Sequence, residues 1–373
     1  MVKGRVTKRD TSAKGNFVSE WFGHRVYPVV AQTPRGLAIQ QEGLCPFLSS
    51  AVGDKRQCIK PETSRGVCTI SSRSNGPRQD WLVCPYRALN LDLFSDVARR
   101  LFSIGSDSRL ELIAAPALAK REVRGRITKT LDSGGAVIVY FQGKLGGEIS
   151  LSATKRSPEV SFDTTLVQLA STKMNGLTAN QYGFFEVQTM DFHGSYRRVV
   201  QNLNDALRLH RKDFSNILQQ KPEWLSEKIE GPNIANVFKR TFYQIMLKFQ
   251  IGAQGSCVGS VLGLPRSVWD SWQRHLGAPE LMAGADNVYS LRRPDPSSQR
   301  IPAWIYVFDV DATSKSNPNP IVVSMIIATD APSVAHYALD IVPETMVADS
   351  GVTDRILLTI RRRLAIWWPE ISA

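Results

Sequence analysis

Gly183-Phe184-Phe185-Glu186-Val187-Gln188-Thr189-Met190 is the stretch from which the fold can be read. Side chains of an extended backbone point alternately to opposite faces, so Glu186 and Gln188 share one face, opposite Phe185 and Val187. Upstream, Pro158 to Val167 reads the same way, with Val160, Phe162 and Leu166 on one side and Glu159, Ser161 and Asp163 on the other. Strand-length apolar segments at Leu110 to Ala114 and Ala136 to Phe141, set off by Gly-rich or polar turns, predict that these pieces belong to one sheet. Behind Ser195, a predicted N-cap, Tyr196, Val199, Val200, Leu203 and Leu207 recur at helical spacing. A second stripe, Ile234, Phe238, Phe242, Ile245 and Phe249, follows Pro232-Asn233. Further strands are expected at Ala303 to Val310 and Pro320 to Ile327, and an amphipathic helix around Arg355 to Ile366. The fold class is α/β, a sheet flanked by helices.

The two acids on these strands carry a chemical suggestion. Phosphodiester cleavage needs hard oxygen ligands that hold Mg²⁺ against a nonbridging phosphate oxygen, and Asp163 with Glu186 fit that need. Glu148, in Gly146-Gly147-Glu148, is a third acid able to join directly or through water. The plain alternative for each is a solvated strand or loop residue, and Asp followed by Glu-x-Gln is a weak pattern taken alone. There is no Walker A, GxGxxG, HExxH or GxSxG signature to support a nucleotide-binding, zinc-protease or serine-hydrolase reading.

Residues 17 to 100 are loop-rich and hold Cys45, Cys58, Cys68 and Cys84, with twelve, nine and fifteen residues between neighbours. Without an apolar stretch behind the basic N-terminus, export is not expected and disulfides are disfavoured. Four thiolates around one tetrahedral ion would staple a segment with little core of its own, and iron or zinc would serve, as would an iron-sulfur cluster. The spacings are not the CxxC pairs of zinc ribbons, so separately buried thiols are the competing account. Cys257 reads as a lone thiol.

Residues 1 to 16 read as a flexible basic arm. The whole chain of 373 residues carries a formal charge of +12, with 43% hydrophobic and 21% charged residues, which suits a folded protein with a polyanionic partner. No run of about 18 apolar residues occurs, so no membrane span and a cytoplasmic location are expected. Candidate DNA contacts are Arg197 and Arg198 in the first turn of one helix, and Asn236, Lys239, Arg240 and Gln244 off the apolar stripe of the other. Lys and Arg would hold phosphates, while Asn236 and Gln244 have the donor and acceptor pair suited to adenine and Arg240 the fork suited to guanine.

Longer stretches carry a family resemblance. Phe22-Gly-His-Arg-Val-Tyr-Pro28, Cys45-Pro-Phe-Leu48, Glu62-Thr-Ser-Arg-Gly-Val-Cys68, Asp80-Trp-Leu-Val-Cys-Pro85, Glu186-Val-Gln-Thr-Met-Asp-Phe-His-Gly-Ser-Tyr196 and Asn236-Val-Phe-Lys-Arg-Thr-Phe-Tyr-Gln244 resemble the NotI-like type II restriction endonucleases, from about residue 17 to 276. The resemblance implies a PD-(D/E)xK core, a mixed sheet flanked by helices, over residues 101–373, beside a loop-rich four-cysteine metal-binding region at 17–100. It implies one iron ion on Cys45, Cys58, Cys68 and Cys84. It also implies a catalytic group of Glu148, Asp163, Glu186 and Gln188, in which glutamine stands where the motif lysine is usual and Phe162 where its proline is. The implied enzyme is a Mg²⁺-dependent homodimer that cuts both strands of double-stranded DNA at a GC-rich palindrome of eight base pairs. Two rivals remain open: a PD-(D/E)xK repair or CRISPR-type exonuclease with an iron-sulfur cluster, and a non-enzymatic DNA-binding protein with a structural metal knot.

Overall fold

The segment around Glu186 ends an eleven-residue strand, Leu177–Val187, in the interior of a nine-stranded mixed sheet. The computed structural model describes residues 15–73, 77–89, 91–171, 176–291, 300–348 and 351–368, so most of the expected basic arm lies outside the described residues. On one side Leu177–Val187 pairs antiparallel with Thr164–Ser171, which pairs antiparallel with Ala136–Gln142. On the other it runs parallel to Cys257–Pro265, and that strand runs parallel to Ala303–Val310. Parallel neighbours need a long crossover rather than a tight turn. Here the chain crosses through the helices Arg197–Leu209, Phe214–Gln220 and Ile234–Gly252.

Helices cover both faces, and the strand Ala303–Val310 records this residue by residue. Its Ala303, Ile305 and Val307 join a buried cluster with Phe238, Ile245 and Phe249 of the crossover helix and with Trp269 and Trp272. Trp304, Tyr306 and Phe308 join another with Leu93, Phe94 and Val97 of the helix Leu91–Leu101. A strand covered on both faces reads as a continuous apolar run, which is how this one was legible.

Two expectations are corrected. Pro158 to Val167 is not one strand: Val160–Phe162 forms a small ribbon with Ile149–Leu151, and Thr164–Ser171 enters the large sheet, leaving Asp163 at the break. The cysteine-bearing region is not short of core. It holds a four-stranded antiparallel sheet in which His24–Arg25, Phe17–Trp21, Val67–Ser72 and Gln79–Leu82 lie side by side, with Trp21 and Trp81 fully buried. Both faces of Phe17–Trp21 are buried, so its sequence offers no polar alternation to notice. The amphipathic helix expected around Arg355 to Ile366 forms as Val352–Leu364; it has no buried residue, and its apolar side, with Ile356, Ile360 and Leu364, faces outward. Among the described residues no helix is long and apolar enough to cross a membrane.

Candidate functional site

The break at Asp163 is what assembles the acids. In the ribbon Ile149 stands opposite Phe162, so the next residue along each strand, Glu148 and Asp163, emerges at the same end. Gly146 and Gly147, at φ +96° and +87°, make the turn that delivers Glu148, a backbone conformation that side chains disfavour. Phe185 pairs with Thr164 in the large sheet, which sets Glu186 beside Asp163. The Asp163 amide donates to Glu186 Oε1 at 3.1 Å, and the Val187 amide donates to Asp163 Oδ2 at 3.3 Å. Ser161 Oγ donates to Glu148 Oε2 at 2.9 Å. Above them opens a cleft of about 180 Å³ lined by Pro85, Tyr86, Gln142, Gly143, Glu148, Asp163, Val187 and Thr189.

Burial raises the Asp163 carboxyl above its ordinary range, with the charge of Glu148 adding to the rise and Lys248 opposing it. Glu186, at 4% exposure, is also raised, by burial first and by the charge of Asp163 second. Lys248 was not among the residues singled out from sequence. It lies on the helix Ile234–Gly252, is buried, and its Nζ donates directly to Glu186 Oε2. Gln188 is the fourth residue of the catalytic group that the resemblance implies. It falls one residue past the strand end, and its Nε2 donates to the Thr189 carbonyl at 2.6 Å, outside the residues that line the cleft.

The four expected metal-ligating cysteines converge. Cys45, Cys58, Cys68 and Cys84 line one cavity of about 10 Å³ with Phe22, Phe47, Lys60 and Gly66. Cys45 and Cys84 each precede a proline that opens a helical turn, at Pro46–Val52 and Pro85–Ala88. Burial pushes the Cys45 thiol up to about 12, and the Leu48 and Phe47 amides only partly offset this. Cys68 and Cys84 are raised by burial too. Gly66, at φ +81°, touches two of the four: its amide donates to Cys58 Sγ at 3.4 Å, and Cys68 Sγ donates to its carbonyl at 3.3 Å. A Cβ there would stand 2.5 Å from the Phe22 ring.

Four soft sulfurs in an apolar pocket large enough for one atom-sized guest match a tetrahedral metal in donor type and in size. The acids at the cleft likewise match a hard cation in donor type. Among the described residues, however, no three His, Cys, Asp or Glu side chains are drawn together closely enough to grip an ion as they stand.

The expected DNA contacts lie on the surface. Arg197, Arg198, Lys239, Arg240 and Gln244 are exposed, Arg198 at 3.6 Å from Glu227 and Arg240 at 3.6 Å from Asp191. Such open pairs hold a side chain only weakly and leave it available. The side chain of Asn236 is outside the described residues. In comparison with known proteins, no family model and no curated protein matches the chain.

Proposed function

We propose that this chain is a Mg²⁺-dependent endodeoxyribonuclease of the type II restriction kind, with a PD-(D/E)xK core. The observation that carries this reading is the meeting of Asp163 and Glu186: Asp163 lines a cleft together with Glu148, and Glu186 lies buried beside it with an ammonium behind. A mixed sheet flanked by helices is what such a core requires, and a chain charge of +12 suits DNA. A buried acid pair backed by a lysine favours an enzyme over a purely DNA-binding protein, where it would have no task.

Asp163 and Glu186 would hold the magnesium ion, which when bound supplies an activated water and positive charge at the phosphate. Glu148, exposed on its ribbon, is placed to order water at the cleft mouth. The bond from phosphorus to one ester oxygen breaks as the bond to the water oxygen forms. One proton leaves that water to solvent, and the departing alkoxide takes one up. Arg197, Arg198, Lys239 and Arg240 would hold the backbone on either side. The cysteine cavity, at about 10 Å³, favours a single iron or zinc ion over an iron-sulfur cluster, and with it the restriction reading over the repair-type exonuclease.

A palindromic target calls for a two-fold dimer. The outward face of Val352–Leu364 suits a second copy. Pairing that helix antiparallel with itself along this side, with the two-fold axis level with Leu358, sets Val352 against Leu364 and Ile356 against Ile360. Ile356→Glu with Ile360→Glu should then turn a dimer into a monomer in light scattering, and an unchanged mass would overturn this interface. The activity test is incubation of the protein and Mg²⁺ with high-GC genomic DNA, followed by sequencing of the ends. Cuts at one palindromic sequence are expected, and intact DNA would overturn the nuclease reading.

A further inference from the structure

The position two residues beyond Glu186 holds a glutamine, which carries no charge and whose amide is engaged by Thr189. Hydrolysis of a phosphodiester builds negative charge at phosphorus, and a fixed cation facing that charge is among the strongest aids a protein can give. Lys248 offers one. Its residue is 6% exposed, its Nζ donates to Glu186 Oε2, and the ammonium lies 5.8 Å from the centre of the Phe162 ring, next to Asp163 in sequence.

The fold brings it there by close helix packing. Ser260 Oγ donates to the Lys248 carbonyl at 2.9 Å, fixing that turn of the helix to the strand Cys257–Pro265, which runs beside Leu177–Val187 with Leu262 level with Glu186. The approach tightens at Gly252, where a Cβ would stand 2.8 Å from Ser260 Oγ. Burying an ammonium is costly, and here its buried partner is Glu186, a residue the site itself uses. A lysine kept here calls for a role in the chemistry.

We propose that Lys248 is the lysine of this active site, supplied from the crossover helix in place of the residue at position 188. Its ammonium faces the scissile phosphate and the attacking water across Glu186. It acts by charge. The inference rests on the nuclease reading above, and extends it to a residue that the Glu-x-Gln pattern does not contain.

The test uses the full-length protein with Mg²⁺ and high-GC genomic DNA. Lys248→Met and Lys248→Gln should each lower the cleavage rate about 10²- to 10³-fold. DNA affinity in Ca²⁺ should stay near wild type, and the melting temperature should fall without loss of the fold, since Glu186 loses its buried partner. Without DNA, Mg²⁺ affinity by calorimetry should hold or rise, since a positive charge has left the acids. Adding Gln188→Lys to Lys248→Met returns an ammonium through the motif position, and should restore at least tenfold of the lost rate. Either single variant cutting within a few-fold of wild type would overturn the assignment. So would loss of folding in both, or a Gln188→Lys double variant that restores nothing. A wild-type protein that cuts no DNA would instead overturn the nuclease reading itself.

Discussion

Two regions of this molecule gather like acids inside the fold, and they resolve the conflict differently. The cysteine cavity assembles four thiols, and the cation beside them, Lys60, is committed elsewhere: its Nζ donates to the Val67 and Val83 carbonyls at 2.8 and 2.9 Å. The carboxylate site brings Glu148 and Asp163 to the cleft wall with Glu186 buried beside Asp163, and keeps its own cation, Lys248, in contact with Glu186. The first arrangement calls for a soft ion from outside and suits a structural knot. The second has a resident charge behind and an open cleft in front, and suits reaction. The two are linked by a short piece of chain. Cys84 lines the cavity, and Tyr86, two residues on, lines the cleft and accepts the Lys144 amide at 3.0 Å.

The largest expected effect comes from breaking the first region. Cys68→Ser should release the metal and lower stability by several kcal/mol, because structural ions of this kind contribute folding free energy directly. Elemental analysis and thermal melting check it, and unchanged metal content and melting temperature would leave the cysteines as separate buried thiols. Through Cys84 and Tyr86, the same change should also slow cleavage. An effect confined to the second region sharpens the contrast: Gln188→Ala should cost less than about tenfold in cleavage rate, since the amide serves Thr189 and not the cleft.

The smallest effect concerns pH. Burial lowers the pKa of His24, which stands in the cysteine-region sheet, so it is held neutral in the fold. A lowered histidine contributes stability that is present above its unfolded pKa near 6.5 and lost as pH falls below that value. Melting between pH 7.5 and 5.5 should therefore fall less in His24→Gln than in wild type. Equal slopes would remove His24 as a source of acid sensitivity.

The sheet and crossover helices were legible because their signals are local: in Ala303–Val310 the first six residues form an unbroken apolar and aromatic run before Asp309, and Val199, Val200, Leu203 and Leu207 keep helical spacing and are all buried. Glu186 was legible as a strand-borne acid, and Asp163 as an acid near it, although Asp163 stands at a break between two strands. Their company was not. Lys248 sits between Leu247 and Phe249, where one lysine in a helix reads as a side chain that reaches water, and its burial depends on Glu186, 62 residues away. Glu148 meets Asp163 only through the register of a two-stranded ribbon. The spacing of the four cysteines likewise gives no hint that strand pairing between Phe17–Trp21 and Val67–Ser72 helps to close their cavity.

The central claim is that Asp163 and Glu186 form a metal-dependent nuclease site, and the most direct test is cleavage by Asp163→Ala, with Glu186→Ala in parallel. Each folded variant, checked by circular dichroism, is incubated with Mg²⁺ and high-GC genomic DNA, while binding is followed by gel shift in Ca²⁺. We expect cleavage to fall by more than about 10³-fold, with binding retained or slightly tightened as a negative charge leaves the phosphate-facing cleft. A folded Asp163→Ala protein that cuts DNA at close to the wild-type rate would contradict the account and place the active site elsewhere in the chain.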